Sequence, residues 1–118
     1  MFFRKTRTPG MTPAEAVAGA KTGNVIVIDV RDQGEVALSG KAKGALHLPL
    51  MRLQDLADPR HPDFCGKLTP DCKIACYCAS GGRSGRAVQI LERLGYSNVS
   101  NIGGLGHWVR AGGQVERI

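Results

Sequence analysis

An uninterrupted run of β-branched apolar residues, Val25-Ile26-Val27-Ile28, limits the possible fold more than any other feature of the chain. A strand with one face in solvent alternates polar and apolar residues, whereas this run is apolar at every position. The run therefore predicts a strand that is covered on both faces, as in a parallel sheet with helices on each side. Residues 73–78 form a second strand-like run, and it leads directly into a glycine-rich segment.

Helix signals alternate with these strand signals along the chain. Thr12, Pro13 and Glu15 have the spacing of a capping box that begins a helix, and Gly23 ends it. Further helices are predicted at about 32–38, 50–57, 83–94 and 103–110, and shorter strands at 45–48, 98–102 and 115–117. This alternation favours an α/β domain with a mostly parallel sheet and helices on both faces.

The length and composition predict one globular domain. A chain of 118 residues with 42% hydrophobic and 22% charged residues supports one core but not two. We predict a single domain over residues 1–118, with residues 1–10 as a flexible N-terminal arm. The opening apolar residues are too few for a signal peptide or a membrane span, so we expect a cytoplasmic protein with no membrane contact.

The net charge of +6 leaves three kinds of role open: nucleic-acid binding, attraction of an anionic substrate, or solubility. The basic residues are dispersed apart from one cluster, Arg4, Lys5 and Arg7. The chain lacks the alternation of basic and aromatic residues that tracks single-stranded nucleic acid. We therefore expect no nucleic-acid partner.

The most informative cysteine is Cys78, which ends the predicted strand 73–78 and precedes a predicted helix. Unpaired backbone N–H groups and the helix dipole favour an anion there, so the thiolate of Cys78 should be populated near neutral pH. Gly81 and Gly82 are predicted to take positive φ and to turn successive N–H groups toward the sulfur. The guanidinium of Arg83 adds a permanent positive charge with paired N–H donors, which suits an anionic substrate. The competing interpretation is a buried strand cysteine followed by an ordinary turn.

The loop length separates two chemistries. Cysteine phosphatases place five residues between the nucleophile and the arginine, which makes a cradle wide enough for a phosphoryl group. Here four residues separate Cys78 from Arg83. The shorter loop should crowd a phosphate and suit a single added sulfur atom.

Several segments together resemble the rhodanese family over nearly the whole chain. They are residues 28–31 followed by Glu35, residues 44–49, the loop of residues 78–84, and Gly103-Gly104 with Trp108 and Gly112. The resemblance implies a three-layer domain with a five-stranded, mostly parallel central sheet. It also implies sulfur transfer in two steps. We expect no cofactor and no metal. A donor such as thiosulfate would load Cys78 as a persulfide, and a thiophilic acceptor such as cyanide or a cellular thiol would unload it.

The resemblance also assigns roles to individual residues. Cys78 would be the catalytic residue. The persulfide and substrate would be bound by Ala79, Ser80, Gly81, Gly82, Arg83 and Ser84. Asp29 and Arg31 are interpreted as supporting residues, with Arg31 expected to pair with a carboxylate such as Glu35.

The remaining cysteines and histidines form no convincing second site. Cys72, Cys76 and Cys78 have an unusual spacing for zinc and lack a second ligand pair. Cys76 shares a strand face with Cys78 and is predicted to be a small core residue, while a redox role for Cys65, Cys72 or Cys76 stays open. The three histidines are interpreted as surface or packing residues: His47, His61 and His107.

Two classes of function remain. The first is an enzyme that turns over small sulfur compounds. The second is a module that does not turn over, and that carries persulfide sulfur to a protein partner or docks on one. An intact Cys78 followed by Arg83 favours the enzyme.

Overall fold

The computed structural model describes residues 10–118, so the predicted flexible arm lies, apart from Gly10, outside the described residues. The helices are α1 Pro13–Thr22, α2 Gln33–Ser39, α3 Leu50–Leu56, α4 Gly82–Arg93 and α5 Leu105–Arg110. The strands are β1 Val25–Asp29, β2 Lys41–Ala42, β3 Leu46–His47, β4 Lys73–Cys78, β5 Asn98–Gly104 and β6 Val115–Glu116. None of the helices described here has both the length and the hydrophobicity that crossing a membrane requires.

The central sheet has the strand order β3-β1-β4-β5, and every neighbouring pair in it is parallel. This confirms the α/β class and the parallel sheet. Within residues 10–118 the sheet has four strands, whereas the family resemblance implied five. The segment predicted as an edge strand at 115–117 instead pairs antiparallel with β2, as a separate two-stranded ribbon. An ion pair of 2.5 Å between Lys41 Nζ and Glu116 Oε2 holds this ribbon together.

Helices cover both faces of the sheet, which gives the predicted three layers. One core cluster packs α3 and α4 on the sheet through residues such as Leu53, Ala87 and Leu91. The other packs α1 and α5 on the opposite face through residues such as Val17 and Trp108. Because side chains alternate across a strand, β4 sends Ile74, Cys76 and Cys78 to the first cluster and Ala75 and Tyr77 to the second.

The predicted ends of α1 are confirmed. Thr12 N donates to Glu15 Oε1 at 2.9 Å, and Glu15 N donates to Thr12 Oγ1 at 3.1 Å. Gly23 ends the helix with φ of 81°, in the left-handed region that glycine adopts without strain. The turn at Gly23 sets the direction in which the chain leaves α1 and begins β1. β1 in turn pairs with β4, the strand that ends at Cys78.

An irregularity in β5 shapes the edge of the sheet where β4 ends. Asn101 lies opposite Cys76, and Gly104 lies opposite Cys78. From one pair to the next, β5 advances by three residues and β4 by two, so β5 contains one extra residue. Such a bulge bends a strand and changes the direction of its side chains. Here it brings the backbone of Gly104 against the residues that follow Cys78.

Candidate active site

Cys78 is the last residue of β4 and lies at the floor of a short loop that leads into α4. Its Sγ accepts a hydrogen bond from Gly81 N at 2.9 Å, and Ser84 Oγ lies 3.4 Å from it. The residue is 1% exposed. The sulfur is therefore enclosed by hydrogen-bond donors, at the strand end where the sequence predicted it.

Two opposing influences set the acidity of the Cys78 thiol. Burial is the largest, and by itself it raises the pKa because a thiolate loses its hydration. Hydrogen bonds from the Ser84 hydroxyl and from the backbone amides of Ser84, Gly81 and Ser80 outweigh burial, and the pKa is lowered to about 7. Cys76, which is fully buried, has its pKa raised to about 12 by burial. Of these two cysteines on one strand face, Cys78 is the one able to form a thiolate near neutral pH.

The two loop glycines have different conformations. Gly81 has φ of +116°, and this turn directs its N–H to the sulfur. Gly82 is the first residue of α4 and does not have positive φ. The prediction of positive φ is right for Gly81 and wrong for Gly82, because one left-handed residue is enough to turn the chain from the strand into the helix.

Arg83 is held by Glu35 of α2. Its Nη1 and Nη2 donate to Glu35 Oε1 and Oε2 at 2.6 and 2.8 Å. The hydrogen bond from Arg83 is the largest influence on the Glu35 carboxyl, whose pKa is lowered to about 2. Arg31 was expected to pair with a carboxylate such as Glu35. The first turn of α4 brings Arg83 to Glu35, and the carboxylate that Arg31 does pair with is Asp29.

Arg31 pairs with Asp29, the last residue of β1. Arg31 Nη2 donates to Asp29 Oδ2 at 2.7 Å and to the carbonyl of Gly40 at 2.6 Å. Asp29 Oδ2 also accepts from the hydroxyl of Tyr77 at 2.5 Å. Tyr77 precedes Cys78, so this buried network ties the end of β4 to β1 and to the C-terminal end of α2.

Asn101 of β5 is a site residue that the sequence pattern did not identify. Its Nδ2 donates to the carbonyl of Gly81 at 2.9 Å, and its Oδ1 accepts from Gly103 N at 2.9 Å and from Ser84 Oγ at 2.6 Å. The side chain thus connects β5 to the C-terminal end of the loop and to the first turn of α4. One signal was present in the sequence, since asparagine is depleted from strands and its place in a predicted strand asks for an explanation.

The histidines make contacts away from the sulfur. His47 Nε2 lies 2.7 Å from the carbonyl oxygen of Arg31, and His107 Nδ1 accepts from Gly104 N at 2.9 Å. His61 Nδ1 accepts from the backbone of the Pro-rich loop. These contacts support local backbone turns.

All four cysteines lie within the described part of the chain and are free thiols. Cys76 is a buried core residue, as predicted, while Cys65 and Cys72 are half-buried beside the same cluster. Across residues 10–118, no group of three or more His, Cys, Asp or Glu side chains is arranged to hold a metal ion. The chemical capacity at this edge of the sheet is therefore that of a hydrogen-bonded thiolate with a nearby guanidinium.

Known sulfurtransferases are similar to this chain in sequence. Thiosulfate sulfurtransferase PspE of Escherichia coli is 33% identical over 63 residues, which are 53% of this chain and 55% of PspE. The chain thus spans little more than half the length of that relative. Thiosulfate:glutathione sulfurtransferase of Saccharomyces cerevisiae is 30% identical over an alignment that covers 82% of this chain and 73% of the yeast protein.

The similarity to a solved structure and the match to a family model agree with the similarity in sequence. A human single-domain sulfurtransferase, TSTD1, superimposes with a TM-score of 0.75 at 25% identity, covering 88% of this chain and 97% of the human one. A family model described as the rhodanese-like domain matches residues 12–111. The match includes the strand, loop and helix that surround Cys78, and the chain belongs to the rhodanese-like domain family.

Proposed function

We propose that the chain is a sulfurtransferase that carries sulfane sulfur as a persulfide on Cys78. The observation that supports this most is the thiol itself, enclosed by a loop whose amide and hydroxyl donors bring its pKa to about 7. Such a thiol is a nucleophile without needing a histidine base. The similarity to relatives named as thiosulfate sulfurtransferases supports thiosulfate as a donor.

The proposed reaction balances without an external oxidant. The Cys78 thiolate attacks the outer sulfur of thiosulfate, an S–S bond forms, and the donor's S–S bond breaks as sulfite leaves with the electron pair. The product is an anionic persulfide on Cys78. An acceptor, cyanide in an assay or a thiolate such as that of glutathione, then attacks the terminal sulfur and releases the Cys78 thiolate.

The loop is proposed to stabilise the negative charge of the persulfide. The residues proposed to bind it are Ala79, Ser80, Gly81, Gly82, Arg83 and Ser84. The donors within reach of the sulfur are the amides of Ser80, Gly81 and Ser84 and the Ser84 hydroxyl. They act as an oxyanion hole does, because fixed dipoles need no reorganisation when charge develops.

The enclosure of Cys78 favours sulfur chemistry over phosphate chemistry. We infer that a donor reaches a residue that is 1% exposed only through a narrow end. Thiosulfate carries its transferable sulfur at such an end, whereas a phosphoryl group brings oxygens around the reacting phosphorus. We expect no meaningful hydrolysis of aryl phosphates.

The first test is turnover by the purified chain with a panel of sulfane-sulfur donors. Thiosulfate with cyanide should give thiocyanate, and thiosulfate with glutathione should give sulfite and glutathione persulfide, while an aryl phosphate serves as the negative substrate. Loading of Cys78 without turnover would favour the alternative, a module that passes its sulfur to a protein partner. Efficient phosphate hydrolysis would contradict the proposal.

Arg83 is proposed to attract the anionic end of the donor, with Glu35 moderating its charge. Arg83→Ala should raise the KM for thiosulfate about five-fold, the size expected for a partly exposed charge contact. Arg83→Lys should recover only part of this, because an ammonium cannot replace a planar fork. Glu35→Gln is the matched control, since it leaves the arginine in place and removes the charge that neutralises it.

Steady-state kinetics separate this role from a purely structural one. If Arg83 attracts the donor, Glu35→Gln should leave the KM unchanged or lower it. If the ion pair serves only to hold α2 against α4, Glu35→Gln and Arg83→Ala should impair the enzyme alike, and the proposed contact with the donor would be wrong.

The pKa of Cys78 predicts the pH dependence of loading. Below pH 7 the thiol form dominates, so the rate of persulfide formation should rise with pH and reach half of its plateau near the pKa of about 7. Well below that pH the rate should fall about tenfold for each pH unit, because the thiolate fraction does so. Stopped-flow measurement of sulfite release in a single turnover gives this profile. A midpoint near that of an unperturbed cysteine would show that the loop does not activate the sulfur.

A further inference from the structure

The hydroxyl of Ser84 has more acceptors than it has protons. It lies 2.6 Å from Asn101 Oδ1, 3.2 Å from the carbonyl of Gly81, and 3.4 Å from both the carbonyl of Gly103 and Cys78 Sγ. A serine hydroxyl donates one hydrogen bond at a time. Ser84 is fully buried, so the choice lies among these protein groups. The sulfur and the asparagine therefore compete for one proton.

The orientation of the Asn101 amide is fixed by partners that have only one role. The carbonyl of Gly81 only accepts, so the group 2.9 Å away is the NH₂ of Asn101. Gly103 N only donates, so the group 2.9 Å away is Oδ1. Oδ1 is thus presented to Ser84 as an acceptor, and the 2.6 Å contact is the shortest that the hydroxyl makes.

We propose that Asn101 is a positioning residue that holds the Ser84 proton while Cys78 is a thiol and releases it to the sulfur when the sulfur carries a negative charge. An anionic acceptor forms a stronger hydrogen bond than a neutral amide oxygen, and the O–H group needs only to rotate. This inference rests on the proposed function, because the anionic states to which the Ser84 proton moves are the thiolate and the persulfide of the sulfur-transfer reaction.

The proposal makes the contribution of Ser84 depend on Asn101. When the sulfur ionises in the native protein, Ser84 gains a bond to sulfur and gives up its bond to Asn101. Without Asn101, only the weaker contacts with the carbonyls of Gly81 and Gly103 are given up, so Ser84 should stabilise the thiolate more. With Asp at this position, the carboxylate should hold the proton in every state, and Ser84 should stabilise the thiolate hardly at all.

The other charged groups around the sulfur are unchanged by this comparison. Arg83 on α4 interacts electrostatically with Cys78, with Glu35 of α2, and with Asp32, which caps α2. The Asp29–Arg31 pair lies at the end of β1, and His107 of α5 contacts Gly104. Each is present with and without the Ser84 hydroxyl, so its influence on the Cys78 pKa cancels when Ser84→Ala is compared within one background.

The test is the Cys78 pKa with and without the Ser84 hydroxyl in three backgrounds: native, Asn101→Ala and Asn101→Asp. The pKa is measured from the pH dependence of iodoacetamide alkylation, followed on the Cys78 peptide by mass spectrometry. Ser84→Ala should raise the pKa at least about twice as much in Asn101→Ala as in the native background, and least in Asn101→Asp.

Equal shifts in all three backgrounds would overturn the proposal and leave Asn101 as a clamp on the loop. If Asn101→Ala fails to fold, the native and Asn101→Asp backgrounds still differ in the predicted direction or contradict it. The titration uses no sulfur donor. It can therefore succeed or fail independently of whether any donor loads Cys78.

Discussion

Replacement of Cys78 by serine should lower the rate of sulfur transfer at least about 1000-fold, in a chain that still folds. The serine hydroxyl can accept the hydrogen bond that Gly81 N now gives to sulfur, so the loop keeps its shape. It does not ionise near neutral pH and forms no persulfide. Thiocyanate formation from thiosulfate and cyanide measures the activity, and thermal unfolding measures the fold.

The other cysteines provide the controls. Cys65→Ser and Cys72→Ser change half-buried thiols and should each retain most of the activity. Cys76 is fully buried, so alanine is the appropriate substitution, because a serine hydroxyl there would lack a defined partner. Substantial turnover by Cys78→Ser, or loss of turnover in the Cys65 and Cys72 variants, would move the chemistry away from Cys78.

Gly104→Ala should damage both the fold and the activity, because the added methyl group has no room. A Cβ at Gly104 would lie 2.1 Å from the carbonyl oxygen of Ala79. Ala79 follows Cys78, so relief of this clash must move the loop or β5. We expect a loss of about 2–3 kcal/mol in the free energy of unfolding from overpacking, and a fall of about 100-fold in kcat/KM from the displaced loop.

Gly34→Ala is the matched control for this variant. Gly34 is an exposed residue of α2 with no atom within 4 Å of its added Cβ and no positive φ. Alanine favours a helix over glycine, so the free energy of unfolding should stay the same or rise by up to about 1 kcal/mol. Urea unfolding and steady-state kinetics on both variants make the comparison. A native-like kcat/KM in Gly104→Ala would show that β5 does not constrain the loop.

Local patterns were sufficient to predict most of the architecture. The apolar run at 25–28 specified a strand covered on both faces, and Thr12 with Glu15 and Gly23 specified the ends of α1. The strand end, the glycine turn and the helix placed Cys78 in its loop, since each of these depends on neighbouring residues. These features need no knowledge of what lies across the fold.

The features that were mispredicted or missed depend on contacts between distant segments. Arg31 was expected to pair with a carboxylate such as Glu35, but Arg83 reaches Glu35 from another helix, and Arg31 pairs with Asp29. The extra residue in β5 and the bridge made by Asn101 arise only when β5 pairs with β4. A one-dimensional pattern does not carry such pairings.

The intact mass of the protein after incubation with thiosulfate, without an acceptor, shows whether Cys78 carries sulfur. We expect a gain of one sulfur atom per chain, located on the Cys78 peptide and absent from Cys78→Ser. Cyanide should then remove the added sulfur and release one thiocyanate per chain. If no donor in the panel changes the mass under conditions that load a rhodanese control, the claim that Cys78 carries sulfur is contradicted.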